Sequence, residues 1–413
     1  MEYDKNWRSK ELSIREVIRK YPEVSPLVII KTDAQRRGVT YTEAALERVD
    51  EAIHQTQGRS FAVEKTDKTP FSLLLRDGTS ILTGRAMVET QREPLIVDVV
   101  DDRIMILDGE DPLDEVFYWE KPVFYDKKTS KGTPMWQVAW ARPQRIDLNP
   151  YQFCQFWNTP GYGCKYCAIA ATYKRNEKPQ LIDLDDISET VQEALKEQGR
   201  FTSIFLTGGT ILDGEELLDD EVNNYIRILQ AIGKNFRTDR FPSQLIGTAF
   251  NPKQLKRLHD ETGLMSYTAD IEVPNEELFN WICPGKAAKI GYREWKERLY
   301  AAAGIFGRGN VNAGIVAGVE LARPNGFGSE EEALGSMLEE AEELARNGVC
   351  IVACVWNVTP GSIFFRQTTP SLEYYVQLSK GLDALRRKYA IPIDMDNYRR
   401  CGNHPDTDLS RVW

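Results

Sequence analysis

From about residue 143 the chain repeats one alternation: a short apolar run, then a longer stretch with helical periodicity. The apolar runs are RIDLNPYQF (145–153), TSIFLT (202–207), QLIGTAF (244–250), MSYTADIEV (265–273), VNAGIVAGVE (311–320) and VCIVACVW (349–356). Helical patterns lie between them near 187–198, 215–233, 252–260, 291–304 and 330–347, and another follows near 371–389. Strands this apolar are buried on both faces, and strand–helix units in series make parallel sheets with right-handed crossovers. Six units fit an α/β partial (βα)6 barrel of the TIM type or an open doubly wound sheet. Either fold puts its ligand at the C-terminal ends of the strands.

The loop after the first of these strands is therefore where chemistry is expected. It reads FCQFWNTPGYGCKYCAIAATYKR, and it holds Cys154, Cys164 and Cys167 of the chain's seven cysteines in a C-x9-C-x2-C spacing. The N-terminus, MEYDKNWRSKELSIREVIRK, has no apolar core of a signal peptide, and no run reaches the roughly 18 apolar residues of a membrane span. A cytoplasmic, reducing setting follows as the expectation, and there an odd number of cysteines points to metal, catalysis or burial rather than disulfides. Pro160, Gly161 and Gly163 mark a loop, not a packed strand. Zinc wants four ligands, and His54, His259 and His404 are distant in sequence. A ferredoxin-type cluster wants four thiolates, and no fourth is near. Three thiolates would leave one iron of a [4Fe–4S] cluster open. Zinc, iron–sulfur and simple burial all remain open on spacing alone.

Upstream, the first sixty residues read as helical, with Thr40 and Glu43 at capping-box spacing. Residues 60–142 read as antiparallel β: FSLLL, SILTG, LIVDVV, RIMIL, VFYWE and MWQVAW, with turns at Asp77-Gly78 and Asp101-Asp102. Three regions follow: 1–142 helical plus β-rich, 143–390 the partial barrel, and 391–413 a segment closing the barrel mouth. In that last segment Arg399, Arg400, Cys401 and His404 precede a terminal Val412-Trp413, and the segment is expected to line the substrate pocket. The net charge of −10 and the lack of a basic tract argue against nucleic acid and anionic membranes as partners.

Over residues 143 to about 370 the sequence resembles the radical S-adenosylmethionine (SAM) enzymes. In that family three cysteines after the first strand hold a [4Fe–4S] cluster, whose open iron binds the amino and carboxylate groups of SAM. The resemblance assigns Cys154, Cys164 and Cys167 as the metal ligands. Their nine-residue gap departs from the commoner C-x3-C-x2-C and is similar to that of the catalytic subunit of the tRNA-modifying Elongator complex. By the same resemblance Tyr166 contacts adenine. Gly208, Gly209 and Thr210 of LTGGT match a GGE-like motif for SAM's amino group, where glycines let a ligand approach the backbone. AGIVAGVE resembles the family's G-x-I-x-G strand, with Glu320 either reaching SAM or facing solvent. VACVWNVTPGSIF resembles the Pro-Gly turn of biotin synthase-like members and brings Trp356 and Asn357 near adenine. TADIEVPNEELFNWICPGK resembles their fourth-strand region. There Asp270 and Glu272 share one face and would meet the ribose or the substrate.

The implied activity is reductive cleavage of SAM to a 5′-deoxyadenosyl radical, which abstracts hydrogen from a small molecule in cofactor or natural-product biosynthesis. Glu272, Arg399 and Cys401 are the candidate catalytic residues on the substrate side, and a flavodoxin or ferredoxin is the implied electron donor. Cys283, Cys350 and Cys354 read as buried small hydrophobes rather than ligands of a second cluster. A tRNA-modifying radical SAM enzyme and a non-catalytic iron–sulfur electron carrier are the alternatives.

Overall fold

The computed structural model describes residues 4–57, 67–82, 91–151, 153–173, 181–391 and 402–409. Its first sheet comprises β1 (Val39–Tyr41), β2 (Ser72–Leu75), β3 (Ser80–Leu82), β4 (Leu95–Val100), β5 (Arg103–Asp108) and β6 (Asp111–Tyr118), in the order β1-β4-β5-β6-β2-β3. The expected turns are present. Asp101 and Asp102 take φ 49° and 62°, the left-handed pair that a two-residue hairpin between β4 and β5 requires. Two expectations fail. The strands of 60–142 in this sheet pair antiparallel as expected, but Val39–Tyr41, in the stretch read as helical, is a strand that joins β4 in parallel. Thr40 lies in β1, and the cap is Thr42, whose hydroxyl accepts from Ala45 N at 3.2 Å. The helix it starts stops at Glu47.

The helix Pro26–Arg37 packs beside this sheet and is buried from Leu27 to Arg37, charged residues included. Asp33 bridges Arg36 and Arg37, and Arg36 also holds Glu11. Among the described residues no helix is long and apolar enough to cross a membrane.

The second sheet contains β7 (Ala139–Arg142), β8 (Arg145–Leu148), β9 (Ser203–Thr207), β10 (Ser243–Ile246), β11 (Ser266–Thr268), β12 (Val311–Ala317) and β13 (Val349–Val355). β8 to β13 lie side by side in sequence order and all parallel. A doubly wound sheet would reverse direction at a central strand. Unbroken order is instead that of a curled, open (βα)6 half-barrel. All six expected strands and the helices between them are present. β7 runs antiparallel along the β8 edge, so the barrel sheet begins at Ala139, inside the region read as the N-terminal part. Residues Met135–Val138 of MWQVAW form a helical turn instead of a strand.

The opposite edge, β13, is sealed by the segment 402–409. Ala353 N donates to Asp406 Oδ1 at 3.1 Å, giving an edge amide a side-chain acceptor. Arg386 grips the same carboxylate at 2.8 Å, and Lys31 of the buried helix pairs with Asp408 at 2.5 Å. Residues 402–409 thus lie along the β13 edge, whereas the expected position was the barrel mouth. Arg399, Arg400, Cys401, Val412 and Trp413 lie outside the described residues.

Candidate active site

The cysteine loop is folded by close contacts that its small residues permit. A Cβ on Gly163 would lie 2.5 Å from the Trp157 ring, so glycine lets the loop double back after Cys154. Gln155 N donates to Thr210 O at 2.8 Å, joining this loop to the one after β9. Cys154, Cys164 and Cys167 open onto one cavity of about 160 Å³. As free thiols, Cys154 is raised by burial and Cys167 is pushed up to about 12 by burial. Cys164 is lowered, first by a hydrogen bond from Cys283 and then by the Lys286 ammonium. Among the described residues no three His, Cys, Asp or Glu side chains converge on a point that would hold a single metal ion. A donor set of thiolates spread around one cavity suits an iron–sulfur cluster, which takes each thiolate on a separate iron.

Tyr166, Gly208, Gly209, Thr210, Asp270 and Glu272 line the same cavity. The structure thus brings together most of the residues singled out from sequence. The glycines also have a packing reason beside the expected ligand approach. A Cβ on Gly209 would stand 2.0 Å from Phe153 O and 2.7 Å from Cys154 Cβ, and one on Gly208 would strike the Tyr151 ring. Glycine is needed here so that the β9 loop can pack against the cysteine loop. Buried Glu221 ties the β9 loop to the loop after β10, accepting from Ile211 N and Thr248 N, each at 3.0 Å.

The cavity floor carries a charged triad. Lys286 Nζ donates to Glu272 Oε1 at 2.6 Å and to Asp270 O at 2.7 Å, and it stands 4.5 Å from the centre of the Trp295 ring. Asp270 Oδ1 accepts from Gly314 N at 3.1 Å. Burial, reinforced by the charge of Glu272, pushes Asp270 up to about 7. Burial opposes the Lys286 charge, but Glu272 and the thiols hold this lysine above its usual value. Glu272 has φ 66°, a left-handed conformation that costs a non-glycine residue energy and marks functional sites more often than packing sites.

A second cavity of about 280 Å³ fills the barrel interior and shares Thr207, Ile246, Asp270 and Glu272 with the first. Arg142, paired with Asp147 at 3.3 Å, lines one side. Cys354, Asn403 and His404 line the other, with His404 Nε2 3.1 Å from Cys354 Sγ. Burial pulls His404 down to about 3, so its ring is neutral.

Several expectations are corrected. Glu320 neither reaches the cavities nor faces solvent. It is fully buried, accepts from Gly318 N at 2.8 Å through both oxygens, and accepts from the Tyr374 hydroxyl. Trp356 is buried against Phe364 and Asn357 is exposed, and neither lines the two cavities. Cys350 is packed, as expected, against Val352 and Ile391. Cys283 is likewise buried in the core, as expected, whereas Cys354 lines the interior. Arg399 and Cys401 lie outside the described residues. Lys286 escaped the sequence reading because the motif CPGK marks only a turn. Asp147 escaped because it read as part of a strand, and Arg142 because it fell between two strand runs.

Residues 155–328 match the family model described as Radical SAM superfamily. A curated relative, the bacteriochlorophyllide c C-7(1)-hydroxylase of Chlorobaculum limnaeum, is 24% identical over 347 residues, which is 79% of this chain and 80% of the relative. Among solved structures, HydG, a maturase of the [FeFe]-hydrogenase, aligns at 16% identity and TM-score 0.43, covering 60% of this chain and 51% of its own. The chain thus spans about half the length of that maturase. A radical SAM methyltransferase from Sphaerobacter thermophilus aligns at 15% identity and TM-score 0.41 over 96% of this chain and 98% of its own. The family match covers the region from the cysteine loop to beyond β12, so this part of the chain is similar to the radical SAM domain.

Proposed function

We propose that the chain cleaves SAM reductively at a [4Fe–4S] cluster held by Cys154, Cys164 and Cys167, and turns the product on a small molecule in the barrel interior. The observation that carries this reading is the meeting of two cavities at Asp270 and Glu272, one open to all three thiols and the other enclosed by the strands. When bound, the cluster supplies one electron to the sulfonium of SAM, and the adenosyl fragment released removes hydrogen from the substrate.

The chain's own residues do the rest. Lys286 offers an ammonium for the carboxylate of SAM's methionine part, and Asp270 and Glu272 offer acceptors for ribose hydroxyls. Tyr166 presents a ring at the adenine side, and the backbone of Gly208–Thr210 faces the amino group. A substrate filling the interior cavity would keep water from the reacting carbon. The substrate rests against the Arg142–Asp147 pair on one side and Cys354 and His404 on the other. A flavodoxin- or ferredoxin-class donor in a reducing cytoplasm would deliver the electron. The curated relative hydroxylates a bacteriochlorophyllide, which supports C–H chemistry on a small molecule in cofactor biosynthesis.

Anaerobic reconstitution followed by EPR with and without SAM tests the proposal. Wild-type protein should hold about four irons, lose them on Ala substitution of any of the three cysteines, change its EPR signal with SAM, and release 5′-deoxyadenosine. A cluster indifferent to SAM would favour the electron carrier, and stoichiometric zinc without iron would end the reading.

A further inference from the structure

The hairpin of β7 and β8 sets two arginines directly opposite each other, Arg142 at the end of one strand and Arg145 at the start of the next. Like charges in that relation cost stability, so they call for a compensating role. Both reach the same interior ring: Arg142 Cζ stands 5.3 Å from the centre of Phe205, and Arg145 Cζ stands 4.4 Å from it. Arg145 is buried and donates to Gln244 Oε1 at 2.9 Å. Arg142 is held less firmly. Its ion pair with Asp147 spans 3.3 Å, longer than the roughly 2.7–2.9 Å of a charge-assisted hydrogen bond. Its buried Nε has no hydrogen-bond partner among the described residues, and the side chain lines the interior cavity of about 280 Å³. A buried donor without an acceptor is costly, and a ligand oxygen in the cavity would relieve it.

Charge points the same way. Among the described residues at this end of the barrel, Asp147 stands against two guanidinium groups. His404 is neutral, and Asp406 and Asp408 are paired with Arg386 and Lys31. One positive charge is left over. It matches the single charge of a carboxylate and falls short of a phosphate dianion, and the guanidinium fork fits the two carboxylate oxygens. The other end of the cavity is walled by Asp270 and Glu272, whose carboxylates disfavour an anion there. Resting on the reading that the substrate occupies the barrel interior, we infer that this substrate is a carboxylic acid anchored by Arg142. Its carboxylate lies against the Arg142 guanidinium, and its reacting C–H group lies at the Asp270–Glu272 end, where the two cavities meet. Arg142 is thereby a specificity-determining residue. It discriminates against the amide or ester of the same molecule, because a neutral group leaves the guanidinium unmatched.

The experiment measures binding of labelled benzoate, and of its neutral counterpart benzamide, to the reconstituted full chain by equilibrium dialysis. Iron content and the EPR response to SAM report the cluster reading, acid binding reports this inference, and either can fail alone. Benzoate should bind about tenfold or more tightly than benzamide, the difference between a charged and a neutral hydrogen-bond partner. Arg142→Met should weaken benzoate by about tenfold and leave benzamide unchanged. Arg142→Lys, which keeps the charge without the fork, should fall between. Asp147→Asn removes the competing carboxylate and should tighten benzoate. If Arg142→Met fails to fold, the wild-type comparison and Asp147→Asn decide. Benzamide binding as tightly as benzoate, no binding of benzoate, equal benzoate binding in Arg142→Met, or weaker binding in Asp147→Asn each overturns the inference.

Discussion

Among the described residues two lysine–carboxylate pairs with little exposure serve different ends. Lys31 and Asp408 meet at 2.5 Å with both side chains fully enclosed, between the helix Pro26–Arg37 and the segment that seals β13. Lys286 and Glu272 meet at 2.6 Å with each side chain 11% exposed, at the floor of the cysteine cavity. Pairing, distance and burial are nearly the same. What separates them is the cavity beside Lys286, the aromatic ring under it and the left-handed backbone of Glu272. A buried ion pair is therefore no mark of a site by itself, because it also serves to fix one piece of structure against another.

The largest expected effect breaks the pairs one at a time. Lys31→Met leaves Asp408 buried without its cation, which costs about 3–5 kcal/mol. Lys31→Met/Asp408→Leu should recover most of that loss, since two apolar groups replace two charges. Lys286→Met should cost clearly less, because its partner faces a cavity, yet it should abolish SAM binding. Urea unfolding and equilibrium dialysis with labelled SAM read the two quantities. If Lys31→Met proves as mild as Lys286→Met, the distinction drawn between the pairs is wrong.

Next in size is Gly209→Ala. The added methyl meets Phe153 O and Cys154 Cβ, and overpacking of this kind costs about 1–3 kcal/mol. Because it pushes on the cysteine loop, iron content should fall as well. Loss of SAM cleavage with full iron retention would show instead that the glycine serves ligand approach alone, as the sequence suggested.

The half-barrel's elements were legible because its strands are apolar throughout and its helices periodic, while the strand order that separates it from a doubly wound sheet came from the structure. The cysteine loop was legible because thiols are scarce and a Gly- and Pro-containing loop cannot be core. The rest depended on contacts far apart in sequence. Nothing local tells that Lys165 N of the cysteine loop donates to Ile282 O, or that Lys31 meets Asp408. Glu320 misled because its position in AGIVAGVE suggests a ligand, while its carboxylate turns back on the Gly318 amide. The stretch after Glu47 misled because helical periodicity there is overridden by tertiary packing.

A smaller effect concerns pH, and it compares a cavity carboxylate with a structural one. Asp270 and Glu320 are both pushed up to about 7, in each case first by burial. The folded protein therefore keeps protons that the unfolded chain releases near pH ~4. Stability from these groups is complete below that point and is lost as pH rises to about 7. Asp270→Asn and Glu320→Gln should each flatten the fall in urea midpoint between pH ~5 and ~7.5. SAM should alter the slope in wild type and in Glu320→Gln, but not in Asp270→Asn.

The smallest effect isolates the backbone at the two carboxylates. Ala and Gly substitutions both delete the carboxylate, so their difference reports the backbone alone. At Glu272 the φ of 66° is one that glycine adopts freely and alanine does not. Glu272→Gly should therefore be more stable than Glu272→Ala by about 1 kcal/mol. Asp408 ends a short helix, Pro405–Asp408, where alanine is favoured, so Asp408→Ala should exceed Asp408→Gly by about 0.5–1 kcal/mol. Opposite signs in urea unfolding would show strain held at the cavity pair and none at the clamp. Equal signs would mean that Glu272 relaxes once its carboxylate is gone. The unusual backbone would then be a consequence of the Lys286 contact, not a feature the barrel imposes.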